Sequence, residues 1–239
     1  MSAFEHLAVH GDEHCGCAAR LRERGIELSV IPGSREAALS FSGASIDFSG
    51  ERLMVVDVGG GSPGVGMGTG GAEPVCAHSF NVGCRRVTEK FLASDPPAPD
   101  ELVRARAWIR EQMASWFADQ AKEAADLERV VAVAGTATTV VSIRDRMETY
   151  DSSRVHKARV SRQELLEVYE RLAALPLSAR KKVVGLDPKR APVMVAGLLI
   201  LLTDIADNRM TQGFQIGNRR IDNFTAVTDN LIELEIHWD

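Results

Sequence analysis

The sequence predicts an α/β fold, a mixed β-sheet flanked by helices. Two runs, residues 52–58 (RLMVVDV) and 130–134 (VVAVA), are continuously apolar and short, as expected for strands buried on both faces. Stretches of helical length lie between and after them, and glycine or proline punctuates the junctions. At 239 residues and 26.0 kDa the chain can bury a sizeable core, as one large domain or two small ones. Its composition, 45% hydrophobic and 26% charged, is that of a globular protein.

Taken in order, residues 1–17 read as irregular and 18–24 as a short helix stopped by Gly25. Residues 26–31 (IELSVI) alternate and are β-branched, which predicts a strand. Pro32 and Gly33 turn the chain, and Ser34 is expected to cap a short helix ending near Gly43. The strand over 52–58 runs into Gly59-Gly60-Gly61-Ser62. Residues 65–67 and 75–81 supply two more strands, joined by the glycine-rich GTGGAEP, and the three form a meander. Helices follow over about 85–92 and 99–122, separated by Asp95-Pro96-Pro97-Ala98-Pro99, where Pro99 suits a first helical turn. After the strand at 130–134, Gly135-Thr136-Ala137-Thr138-Thr139 opens a helix reaching about Met147. Residues 161–175 are helical, with Ser161 and Glu164 as a capping box, and 192–206 form the most apolar helix. No internal repeat is visible.

The segment that carries chemistry is Asp57-Val58-Gly59-Gly60-Gly61-Ser62. Three glycines free the backbone to bring N–H groups together on an anion, Ser62 adds a hydroxyl, and Asp57 can hold Mg²⁺ beside bound phosphates. A plain tight turn is the competing reading of a glycine run. Ala134-Gly135-Thr136-Ala137-Thr138-Thr139 repeats the logic at a strand-to-helix junction: backbone amides at a helix N-terminus, with hydroxyls of Thr136 and Thr138 as further donors. A simple helix cap is the alternative there. Neither the dinucleotide fingerprint nor the P-loop lysine pattern is present.

A net charge of −5 and a pI near 5.7 argue against nucleic acid as a partner. The N-terminus lacks the pattern of a secretory signal, and the longest apolar run, 193–202, is too short to span a bilayer. With only four cysteines and no disulfide pattern, a reducing cytoplasm is expected. His10, His14, Cys15 and Cys17 cluster without a standard zinc spacing, so an irregular terminus is the simpler reading. Cys76 and Cys84 read as small buried residues, and Trp108 and Trp116, on one face of a helix, as core packing.

From about Arg20 to Arg209 the chain resembles the exopolyphosphatase and guanosine pentaphosphate phosphohydrolase (Ppx/GppA) family. The blocks that carry the resemblance are Gly25-Ile26-Glu27-Leu28 through Ile31-Pro32-Gly33-Ser34-Arg35-Glu36-Ala37, VVDVGGGS, and Asn81-Val82-Gly83-Cys84-Arg85-Arg86-Val87-Thr88-Glu89. DPPAPDE, VAVAGTATT, Tyr150-Asp151 with Val155-His156, and Arg190-Ala191 with Val195-Ala196-Gly197 follow in the family's order. The resemblance implies an actin-like (ribonuclease H-like) lobe and a phosphohydrolase acting on inorganic polyphosphate or a guanosine nucleotide. It implies Mg²⁺ as cofactor and a homodimer, while charge and the short apolar run give the expectation of no nucleic-acid or membrane partner. By the same resemblance Glu36 would be the general base, Asp57 the metal ligand, and Gly59, Gly60, Gly61, Ser62, Gly135 and Thr136 the phosphate-binding set. Arg86 and Glu89 would support the architecture, with Arg86 either reaching phosphate or forming an ion pair.

The family's pattern begins with a further lobe, so the chain is expected to hold the second lobe and lack most of the first. Pro63 and Gly64 stand where the family has a Thr-Glu pair after GGGS, and Pro192 where an acid often follows Arg-Ala. The expected division is a divergent segment over 1–18, the phosphatase-like domain over 19–209 and a divergent tail over 210–239. A module that binds polyphosphate or nucleotide without turnover, or an inactive remnant, is the alternative to a working hydrolase.

Overall fold

The computed structural model describes residues 31–206 and 223–226. The helix expected over 18–24, the strand over 26–31 apart from Ile31, and the His10, His14, Cys15 and Cys17 cluster lie outside the described residues.

The first described helix, α1 (Gly33–Ser45), starts from Pro32 as N-cap, with no side-chain cap. Ser34 therefore sits inside the first turn rather than capping it, and the helix continues through Gly43 into a 3-10 turn, Ile46–Phe48. Strands β1 (Arg52–Asp57), β2 (Gly64–Thr69) and β3 (Cys76–Ser79) form the expected antiparallel meander. Helices α2 (Cys84–Phe91), α3 (Pro99–Asp119) and α4 (Ala121–Ala124) lead to β4 (Arg129–Val133), which lies parallel to β1.

The chain then forms α5 (Ala134–Arg144), α6 (Ser152–Val155), β5 (Arg159–Ser161), α7 (Arg162–Ala173), α8 (Leu177–Arg180), α9 (Met194–Ala206) and β6 (Asn223–Ala226). The strand order is β3-β2-β1-β4-β6-β5, with β4 and β6 parallel and β5 antiparallel to β6. The sequence reading contains neither α6, α8 nor the two last strands. β5 and β6 are three and four residues long, and α6 and α8 are single turns. Such short elements leave no periodicity to read.

Side chains alternate across the sheet. Leu53, Val55, Val131 and Val133 join Phe41, Ala44 and Phe48 on the α1 side. Met54, Val56, Val130 and Ala132 face the larger core on the other side. There α9 packs on α2, α3, α5 and α7, and its residues from Met194 to Leu202 are buried. Among the described residues no helix is long and apolar enough to cross a membrane.

On the α1 side, β2 presents glycine at every second position. A Cβ at Gly64 would stand 3.1 Å from Ala37 Cβ, one at Gly66 2.8 Å from Phe41 Cβ, and one at Gly68 3.1 Å from Phe41 Cζ. The missing side chains let α1 lie directly on the strand. That seating sets where the first turn of α1, with Glu36, comes to rest.

Two polar devices hold the outer layers. Glu101, at the third position of α3, accepts hydrogen bonds from the N–H groups of Ala93, Ser94 and Ala98 and from the Ser94 hydroxyl. Bonds to its ionised form, that from Ala98 foremost, hold its carboxyl below the usual range. Arg180 is 4% exposed, and its guanidinium donates to the carbonyls of Leu172, Leu175 and Ala191 at 3.0, 2.9 and 3.2 Å. Arg180→Met strands the carbonyls of Leu175 and Ala191, while that of Leu172 keeps the Leu175 N–H. The substitution is expected to lower stability by about 2 kcal/mol or more, measured as a shifted urea midpoint at unchanged slope.

Candidate active site

Asp57 ends β1 and is in register with Val133, the last residue of β4. The glycine loop and the Ala134-Gly135-Thr136 turn therefore leave the sheet side by side, from the carboxyl ends of neighbouring parallel strands. Open α/β sheets bind ligands at that end.

The orientation of the glycine loop follows from its carbonyls. The Cys84 thiol donates to the Gly59 carbonyl at 2.9 Å, and the Arg85 N–H to that of Gly60 at 3.5 Å. A Cβ on Gly83 would fall 1.7 Å from the Gly61 oxygen. Three successive carbonyls thus face the start of α2. In a planar trans peptide the N–H of the next residue points the opposite way, so those of Gly60, Gly61 and Ser62 turn to the other side of the loop. Among the described residues the N–H groups of Gly59, Gly60, Gly61 and Ser62 donate to no protein acceptor. The Ser62 hydroxyl accepts from Ser79 Oγ at 3.0 Å and keeps its own proton to donate. Successive amides pointing to one side of a loop in this way form an anion cup.

Asp57 is partly buried, and its Oδ2 accepts from the Ser40 hydroxyl at 2.9 Å. Glu36 precedes Ser40 by one helical turn and shares its face of α1. Gly33, at the start of the same helix, lies against Ser79. Glu36 is thereby brought to the side of the cup. Its surface is open to solvent, yet enough protein surrounds the carboxyl for desolvation to raise its pKa above that of an ordinary glutamate.

At the second turn Ala134 takes a left-handed backbone (φ 64°) as α5 begins, with Val133 as an N-cap lacking a side-chain bond. The Thr138 hydroxyl donates back to the Ala134 carbonyl, and Thr136, 6% exposed, sets its hydroxyl 3.9 Å from the Cys84 sulfur. The Thr138 hydroxyl is thus bonded to its own helix and that of Thr136 lies beside the Cys84 sulfur, and the backbone N–H groups are the further donors this turn offers. The Arg190 guanidinium rests on Gly135, where a Cβ would meet Nη1 at 1.5 Å. Beyond it, α5 and residues 147–152 and 185–190 line a cavity of about 480 Å³.

The structure brings Asp57, Gly59, Gly60, Gly61 and Ser62 together with Gly135 and Thr136, and seats the helix of Glu36 beside them. Arg86 is exposed, and Glu89 pairs with Arg85 at 2.8 Å instead. Ser40, Ser79, Gly83, Cys84 and Arg190 were not assigned roles from sequence. Only Ser40, one turn after Glu36, carried a readable signal. Among the described residues no three His, Cys, Asp or Glu side chains gather to hold a metal. Magnesium takes one or two carboxylates and completes its shell with water and substrate phosphate, so Asp57 at the mouth of an anion cup fits it.

Comparison with known proteins bears on the family and the fold. The model of the Ppx/GppA phosphatase family matches residues 17–207. Exopolyphosphatase 2 of Mycobacterium tuberculosis is 36% identical over 182 residues, covering 74% of this chain and 55% of that protein. A bifunctional 3-dehydroquinate synthase/phosphatase of Fusobacterium nucleatum is 31% identical over 75% of this chain and 27% of its own length. The chain spans about half the length of the exopolyphosphatases it matches. Among solved structures, the Aquifex aeolicus PPX-GPPA enzyme superposes with a TM-score of 0.76 at 22% identity, over 90% of this chain and 67% of that one. An exopolyphosphatase-like protein gives 0.75 at 27% identity, over 87% of this chain and 66% of that one. With its actin-like mixed sheet and its match over most of its length, this chain belongs to the Ppx/GppA phosphatase family.

Proposed function

We propose that this site hydrolyses phosphoanhydride bonds of inorganic polyphosphate, with a guanosine pentaphosphate-type nucleotide as the alternative substrate, in a reducing cytoplasm. The observation that carries the reading is the outward set of N–H groups on Gly60, Gly61 and Ser62, fixed by the carbonyls that face α2.

The terminal phosphate is gripped by those amides and the Ser62 hydroxyl, and the backbone of Gly135 and Thr136 lies alongside for a neighbouring phosphate. Asp57, steadied by Ser40, would hold Mg²⁺. When bound, the ion supplies charge neutralisation and fixes the phosphate oxygens. Glu36 accepts a proton from water as its oxygen bonds to the terminal phosphorus. The bridging P–O bond breaks, and orthophosphate and a shortened chain leave. A carboxylate whose pKa is raised by partial burial is a better base for this step than a fully solvated one.

The test is phosphate release from polyphosphate in Mg²⁺. Excess chelator is expected to stop it, and Asp57→Asn to lower it by about a hundredfold or more, the size of several kcal/mol of charge stabilisation. Release indifferent to chelator would overturn the assignment of Asp57. One observation favours binding without turnover: Gly64, where the resemblance implies a carboxylate, has no side chain, and a Cβ there would stand 3.1 Å from Ala37 Cβ. Tight retention of polyphosphate with no release by wild-type protein would select that second reading.

A further inference from the structure

We infer that Cys84 is a positioning residue, whose thiol registers the glycine loop against the start of α5. The inference rests on the phosphate-binding reading of those two segments. Cys84 opens α2 and is 2% exposed. Its Sγ–H donates to the Gly59 carbonyl at 2.9 Å, and on its other side the Thr136 hydroxyl stands at 3.9 Å. Gly197 of α9 closes the node from behind: a Cβ there would lie 2.7 Å from Thr136 Oγ1 and 3.1 Å from Cys84 Sγ. One sulfur is thus held among the glycine loop, the first turn of α5 and α9.

The consequence for the site is geometric. The bond to Gly59 fixes the plane of the Gly59–Gly60 peptide, and with it the direction of the Gly60 N–H. Burial pushes the thiol up to about 11, so it remains S–H, a donor, throughout the neutral range. The residue is therefore not a nucleophile; it acts through the loop it holds. A serine hydroxyl in its place is slightly shorter in reach but still within hydrogen-bond distance of the carbonyl, whereas alanine offers no donor.

The experiment compares wild type, Cys84→Ala and Cys84→Ser. The readouts are backbone NMR order parameters and amide chemical shifts of residues 58–62 and 134–139, binding of tripolyphosphate, its hydrolysis in Mg²⁺, and thermal melting. For Cys84→Ala, order parameters across 58–62 are expected to fall and the KM for tripolyphosphate to rise roughly tenfold, the equivalent of one net hydrogen bond, with kcat within about threefold. Melting should move by only a few degrees, and Cys84→Ser should restore the order parameters and KM. Unchanged order parameters across 58–62 in Cys84→Ala, or failure of serine to restore them, overturns the inference. Should wild type neither bind nor cleave tripolyphosphate, the phosphohydrolase reading falls. The NMR comparison still decides what Cys84 does.

Discussion

Glu36→Gln is expected to lower phosphate release from polyphosphate by about 10²–10⁴-fold, the range of a general base, while binding of the substrate stays within a few fold. Glutamine keeps the shape of the side chain and cannot take the proton from water. In wild type, activity should fall as pH drops through the Glu36 pKa, because the protonated carboxyl is no longer a base. Since desolvation raises that pKa, this acid limb should lie at higher pH than a solvated glutamate would give. The same shift fixes the sign for stability. A carboxyl whose folded pKa is raised favours folding at low pH, and that contribution is lost as pH rises through the folded value. Glutamine does not titrate, so at neutral pH the variant should be at least as stable as wild type. Equal release by both proteins would remove Glu36 from the chemistry, and a parallel loss of melting temperature would point to structural damage instead.

Gly83→Ala is expected to be nearly as damaging, by a different route. Its φ of −54° is ordinary, so the glycine is not required by backbone conformation. It is required by contact, since a methyl group would fall 1.7 Å from the Gly61 oxygen, which is backbone and cannot swing aside. The loop must move by an ångström or more, a displacement that costs on the order of 10²-fold in rate when it misplaces a reacting group. The overpacking itself should cost about 1–3 kcal/mol of stability. Gly135→Ala is the matched control. There the clash is with the Arg190 side chain rather than with backbone, so a smaller displacement of the loop and a smaller loss of release are expected. If Gly83→Ala binds tripolyphosphate like wild type, the loop does not depend on its seat against α2, and the amide cup loses its structural basis.

Much of this was legible before any coordinates. The meander, the two-face burial of β1 and β4, and the Ser161 capping box follow from local patterns, and the structure returns each of them, including the Ser161 hydroxyl accepting from the Glu164 N–H at 3.2 Å. The glycine loop was readable because three glycines after an apolar strand and an aspartate form a dense local signal. What escaped was long-range. Gly83 and Cys84 are 22 and 25 residues beyond the carbonyls they meet, and nothing in NVGCRRV shows which backbone oxygen will stand against them. Thr136 and Thr138 look alike in sequence, as hydroxyls at a helix start. Helical phase sends one toward α9 and the other back onto its own first turn. Residues 223–226 illustrate the remaining case, a strand of four residues that acquires its identity by filling the space between β4 and β5.

The glycine stripe of β2 acts as a spacer gauge. Because Gly64, Gly66 and Gly68 contribute only hydrogens, the axis of α1 rides one methyl thickness lower than it would over alanine. The carboxylate on its first turn inherits that height. Reach toward the anion is thus encoded less by the acidic residue than by three atoms omitted from a neighbouring strand. Redesign that thickens this contact would retune the spacing while leaving every polar group of the cleft in the chain.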